Sequence, residues 1–168
     1  MRRFTLAMTY LIEFTVCAFC GWLYEEGLEL AVNHAYADRG LLHLPLLPIY
    51  GFGGLLLVLL YRRRNDAPFV FVTAALVSTV LELAASYPLE HFLGWLPWDY
   101  SAWFCNFEGR ISLPSSLIFG GLALLLVKLV HPLCRKLEDA PRLPVNFAGI
   151  LCGAAFLADC TATWVLRI

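Results

Sequence analysis

Apolar runs long enough to cross a bilayer constrain this chain more than any other feature. A hydrocarbon core about 30 Å thick needs roughly 20 apolar residues of helix. Five stretches qualify, at about 4–32 (or from 10), 41–61, 69–93, 113–133 and 145–168. Within a bilayer each backbone N–H and C=O needs an internal partner, so such stretches fold as helices. Composition agrees: the 168 residues are 60% hydrophobic and 15% charged, against roughly 25% charged in an ordinary soluble domain. Mean hydropathy is +0.71. The expected fold is an all-α integral membrane bundle of about five transmembrane helices, one domain over residues 1–168. A net charge of −1 leaves no basic face for nucleic acid. The start of the chain, two arginines and then an apolar run, resembles a signal peptide. That run carries Glu13 and continues past Trp22 with no Ala-x-Ala site, so it is expected to stay as the first helix.

Between the third and fourth spans lies residues 94–113, which carry Trp95, Trp98, Tyr100, Trp103, Phe104 and Phe107 around Asp99, Asn106, Glu108 and Arg110. Rings with one dry side and one wet edge suit a membrane–water boundary, and the charges among them need partners or water. The stretch is expected to be an interfacial or re-entrant segment. Early breaks are expected in the second span, at Pro45 and Pro48.

Loop charge sets the expected orientation. Arg2 and Arg3, residues 62–64, and Arg135, Lys136 and Arg142 fall on one side of a five-span bundle. The positive-inside rule makes that side cytoplasmic, with the N-terminus inside and residues 33–40, the aromatic segment and the C-terminus outside. In a bacterial cell this means a multi-pass protein of the inner membrane.

Charges within spans mark function by default, because an unpaired one costs several kcal/mol. Glu82 stands in the middle of the third span and Asp159 inside the fifth. At about 1.5 Å per residue both lie near 20 Å from the cytoplasmic ends, so they are candidates for one shared site. Two adjacent carboxylates would retain a proton at neutral pH, which suits proton coupling or cation binding. The plainer alternative is a protonated side chain bonded to a neighbouring helix. Glu25 and Glu29 share a helix face near the outer boundary, with Glu26 pointing elsewhere, as a site or as a solvated helix end. Glu13 lies in the inner half of the first helix or near its interface, depending on where that helix starts, and the second case needs no function. Lys128 can snorkel to the cytoplasmic surface. Arg110, after Gly109 and before the fourth span, has a planar fork able to bridge two carboxylates. Glu25 or Asp99 is its expected partner, with Tyr50 or Asn106 completing the bonds. It is either a clamp or a ligand for an anionic substrate.

Six cysteines are present. Cys17 and Cys20 have the spacing of a redox pair, with Cys105 as a shuttle partner, but i, i+3 cysteines on a helix also serve as small apolar residues. The histidines 34, 43, 91 and 131 are scattered, without metal-ligand spacing, so neither metal nor cofactor is expected. Gly149-x-x-x-Gly153 offers a close helix contact or a dimer face. No Gly-x-x-x-x-Gly-Lys-Ser/Thr, Gly-x-Ser-x-Gly or His-Glu-x-x-His occurs, so no P-loop or standard hydrolase signature is carried.

A set of short motifs adds to this. Residues 21–25 read Gly-Trp-Leu-Tyr-Glu and 39–42 read Arg-Gly-Leu-Leu. Pro45 and then Pro-Ile-Tyr-Gly-Phe-Gly at 48–53 follow. Next come Glu82, Trp-Asp-Tyr-Ser at 98–101, Asn106 and Gly-Arg-Ile-Ser-Leu at 109–113. In this order they resemble the ABC-transporter type IV permeases, the CmpB-like family of small bacterial membrane proteins, over about two thirds of the chain. Departures are Asp38 and Glu108 where the family has Asn, Leu44 where it has Gly, and Pro97 where it often has Trp. The resemblance implies a transport permease whose ATPase is a separate chain. Candidate substrate- or ion-binding residues are Glu25, Arg39, Tyr50, Glu82, Asp99, Asn106, Arg110 and Asp159. Five helices make a small wall for a path, so a homodimer is a natural assembly in the lipid bilayer. Rival classes are a membrane-embedded enzyme acting on a lipid or isoprenoid, and a non-catalytic scaffold or accessory subunit.

Overall fold

The apolar runs are helices, and in several places their ends differ from expectation. The computed structural model describes residues 2–34, 36, 40, 42–96 and 98–167. In chain order it contains α1 (Arg2–Asn33), α2 (Pro48–Leu60), α3 (Ala67–Leu93), strands β1 (Asn106–Phe107) and β2 (Ile111–Ser112), α4 (Leu113–Leu125), α5 (His131–Arg135) and α6 (Arg142–Arg167). A π turn, Leu126–Val130, joins α4 to α5, and a 3₁₀ turn, Lys136–Glu138, ends that run. Among the described residues, four helical stretches are long and apolar enough to cross a membrane: Arg3–Ala31, Ala67–Leu93, Leu113–Glu138 and Arg142–Leu166.

The second run is the exception. A helix over 41–61 was expected, but α2 begins only at Pro48 and has 13 residues, about 20 Å of rise. Proline fits the first helical position, where no donor is needed, and with Pro45 it keeps residues 42–47 out of the helix. Those residues bond elsewhere: the Leu47 N–H donates to the Ala18 carbonyl, in the middle of α1, at 3.1 Å.

The chain forms two compact units, Met1–Leu59 with Lys128–Ile168, and Leu60–Val127. In the first, α1 packs against α6 and α5. A side chain at Gly149 would put its Cβ 2.6 Å from that of Met8, and one at Gly153 would reach Leu11 at 3.4 Å. The small-residue face of α6 is therefore a close contact with α1. Phe14 sits edge-on to Phe52 and Phe156, with ring centres 4.9 and 5.0 Å away, and Gly51 leaves room for its ring.

In the second unit α3 packs on α4. Gly120 lets α4 approach the Phe71 carbonyl, where a Cβ would come within 2.8 Å. Thr79 and Ser116 share a hydrogen bond of 2.6 Å between the two helices. Gly94, with a φ of 75°, ends α3 by donating to the Glu90 carbonyl. Ser112 and Ser115 form a reciprocal capping box that starts α4. Between them the aromatic segment holds a two-stranded antiparallel hairpin, pairing Asn106 with Ser112 and Phe107 with Ile111, which an all-helical reading did not anticipate.

Candidate functional site

The aromatic segment of the second unit folds back along the last turns of α3. Tyr100 donates its hydroxyl to Glu82 Oε1 at 2.9 Å. Glu82 lies 11 residues before the end of α3, about 16 Å along the helix, so the segment doubles back along α3 rather than leading straight from it to α4. Its motifs supply the fastening. Asp99 Oδ1 accepts from the Ser101 N–H at 2.8 Å and from its hydroxyl at 2.5 Å. The Ser101 hydroxyl, and then its N–H, hold the Asp99 carboxyl below the usual aspartate range. The Tyr100 N–H donates to the Gly109 carbonyl at 2.8 Å, and Trp98 Nε1 to that of Arg110 at 2.8 Å. Asn106 donates to the Ser101 and Trp103 carbonyls and accepts from the Gly109 N–H. Gly109, at a φ of 68°, has no room for a Cβ, which would lie 2.6 Å from Ser101 Oγ and 2.8 Å from Asp99 Oδ1.

Arg110 is a clamp with different jaws from those expected. Its carboxylate partners are Glu90, through Nη2, and Glu108, through Nε at 3.3 Å. Its guanidinium lies 4.2 Å from the centre of the Tyr87 ring, and the Tyr87 hydroxyl donates to Glu108 at 3.1 Å. The Glu90 hydrogen bond raises the guanidinium's hold on its proton further above the ordinary value. Asp99 is occupied by Ser101, and Glu25 lies in the other unit. The position of Glu90 facing Arg110 follows from the hairpin. Glu108 takes a φ of 52°, a backbone conformation that suits the asparagine of the family pattern, and here it contributes a second carboxylate to the guanidinium.

In the first unit the motifs at 21–25 and 48–53 meet. The Tyr50 hydroxyl donates to Glu25 Oε1 at 2.5 Å, its ring stands 6.3 Å from that of Tyr24, and Gly21 faces it with no space for a side chain. Of the glutamates near the end of α1, Glu26 is the buried one. Asp159 sits 8% exposed on α6 and takes three donors: the His43 N–H at 3.1 Å, His43 Nδ1 at 3.0 Å and the Leu44 N–H at 2.7 Å. Thr163 adds a contact to His43 Nδ1 at 3.1 Å. Asp159 thus ties the segment before α2 onto α6. Glu82 and Asp159 fall in different units, each with its own partners. Arg39 lies outside the described residues, as do Asp38 and Pro97.

One pair was passed over at the sequence level. Glu13, wholly buried, meets His131 Nδ1 at 2.7 Å. The available signal was a carboxylate in a spanning run and a histidine near the end of another; their spacing of 118 residues hid the pairing. Cys17 is buried and Cys20 exposed, and both are free thiols. Among the described residues no group of three or more His, Cys, Asp or Glu side chains could hold a metal ion.

None of the curated proteins and none of the solved structures matches the chain. The family model described as "Putative ABC-transporter type IV" matches residues 12–164, and all the contacts above except those of residues 5–11 lie within that match. The protein is a multi-pass membrane protein, and the chain belongs to the ABC-transporter type IV family.

Proposed function

We propose that the chain is the permease component of an ABC-type transporter, working with an ATPase on a separate chain. The observation that carries this reading is the set of carboxylates held inside spanning helices, Glu25 by Tyr50, Glu82 by Tyr100 and Asp159 by His43. Charged groups within spans are candidates for substrate and ion contacts, and membership of the family supports a transport role. Glu25, Tyr50, Glu82 and Asp159 are the candidate contacts for substrate. Arg110, Asp99 and Asn106 shape the re-entrant segment beside Glu82, and Arg39 joins the set by its motif. The sequence carries no P-loop motif, which supports an ATPase on a separate chain. A second copy of the chain would complete the wall of the path.

The N-terminus and residues 62–64 and 135–142 face the cytoplasm of a bacterial cell on this reading. Cysteines placed at 63 and at 36 would be labelled from outside in intact cells, with label expected at 36 alone. Gentle solubilisation of native membranes with the tagged chain should bring down vanadate-sensitive ATP hydrolysis. Recovery of the chain with no associated hydrolysis, in detergent and in nanodiscs alike, would count against the permease assignment.

A further inference from the structure

Thr5, Thr9, Glu13 and Cys17 recur at every fourth residue and so share one face of α1. All four are buried, with exposures of 5%, 1%, 0% and 8%, which turns a polar stripe into the protein rather than toward lipid. Thr9 satisfies its hydroxyl by donating to the Thr5 carbonyl at 3.1 Å. Glu13 is satisfied by half: Oε1 meets His131 Nδ1 at 2.7 Å, while Oε2 is buried with no hydrogen-bond partner among the described residues. The His131 side chain is 25% exposed and stands toward the end of the Leu113–Glu138 span, so the imidazole lies between the buried carboxylate and the exterior of its unit. The other charged groups acting on Glu13 are Arg135 on α5 and Glu138 on the 3₁₀ turn, and these two pair with each other. The thiols of Cys17, Cys20 and Cys134 complete the surroundings.

This geometry favours one proton. With one, the pair is neutral as a whole, whether the proton rests on oxygen or nitrogen. With none or two it holds a net charge in a dry place, which is costly. Two groups this close titrate as a unit. We propose that Glu13 and His131 form a proton-binding site in which His131 relays a proton between the medium and the buried Glu13 carboxylate. In the uptake step Nε2 of the imidazole takes a proton from water, and Nδ1 passes its own to Glu13 Oε1. The result is a carboxylic acid beside a neutral imidazole, with one proton gained and no electron moved. The site stands independently of the permease reading.

Infrared difference spectra of the protein in nanodiscs, recorded across pH, would test it. A carboxylic acid C=O band should appear in the parent, be lost in Glu13→Gln, and shift soon after transfer to D₂O. His131→Phe should keep the band but slow its exchange about tenfold or more, the factor expected for losing one hydrogen-bonded relay step. A band that survives Glu13→Gln, no acid band at any pH where the protein is folded, or exchange in His131→Phe as fast as in the parent would each overturn the proposal. Where a variant does not fold, the parent alone decides. The ¹⁵N signals of the His131 ring should change at the pH where the acid band appears, and ring signals indifferent to that step would overturn the site.

Discussion

Among the described residues, carboxylates partnered by histidine fall in one of the two units. In the unit of α1, α2, α5 and α6, Glu13 meets His131 and Asp159 meets His43. In the unit of α3 and α4, Glu82 meets a tyrosine, and Glu90 and Glu108 meet an arginine. A free imidazole changes charge near pH 6.5, whereas a guanidinium or a phenol keeps its state across the physiological range. The first unit thus has two contacts whose character depends on protonation, beside fixed ones such as Glu25 with Tyr50 and Glu138 with Arg135, and the contacts named in the second are of the fixed kind. The same residue type, a carboxylate on a spanning helix, acquires a switchable or a fixed role from the single group placed opposite it.

The contrast is most exposed to failure at His131. Replacing it with alanine strands Glu13 at full burial, and losing one member of a buried pair costs about 3–5 kcal/mol. His131→Ala should therefore show the largest fall in melting temperature in nanodiscs, and melting at the parent temperature would sink the idea that this pair organises its unit. Asp159→Ala comes next. It removes an acceptor from three donors, at about 1.5–3 kcal/mol for hydrogen bonds to a charged group. Asp159→Asn should recover part of that loss, because its carbonyl oxygen still accepts.

In the second unit smaller effects are expected, since Glu90 and Glu108 are about half exposed and solvent screens their attraction. Arg110→Lys loses the fork and the stacking on Tyr87 while keeping the charge. Chymotrypsin cleavage within residues 95–107 should accelerate in Arg110→Lys nearly as much as in Arg110→Ala, and a lysine variant as resistant as the parent would refute the clamp. The smallest effect concerns acid. Asp99 is held below the usual aspartate value by Ser101, so its contribution is present at neutral pH and fades as pH falls below about 3.9 toward the lowered value. Asp99→Asn should flatten the dependence of that protease resistance on acid.

How much of this was legible follows from where each signal resides. Helix content was, because apolar runs and their length report directly on the bilayer. The start of α2 was legible in part: the break at Pro45 and Pro48 was expected, but hydropathy carried the span back to residue 41, whereas α2 begins at Pro48. The aromatic segment was legible as a stretch distinct from the spans, from its rings and charges. Its hairpin was not, because strands of two residues carry no periodicity, and the left-handed positions at Cys105 and Glu108 bear residues that do not announce a turn. Arg110 was legible as a clamp, but its partners depend on how far the segment folds back. Pairs such as Glu13 with His131 are beyond single-sequence reasoning, for they bring together helices that no local pattern joins.

The spacing of that pair bears on how the protein is made. One unit is continuous, Leu60–Val127, and all its parts emerge together. The other is split, and Glu13 enters the membrane with its partner 118 residues behind it. At about 5–20 residues per second of synthesis, roughly 6–24 s pass before His131 exists. Throughout that interval a lone carboxylate in an apolar helix is least costly as the neutral acid. The neutral acid is the least costly form for the first helix until α5 brings His131 and completes the pair.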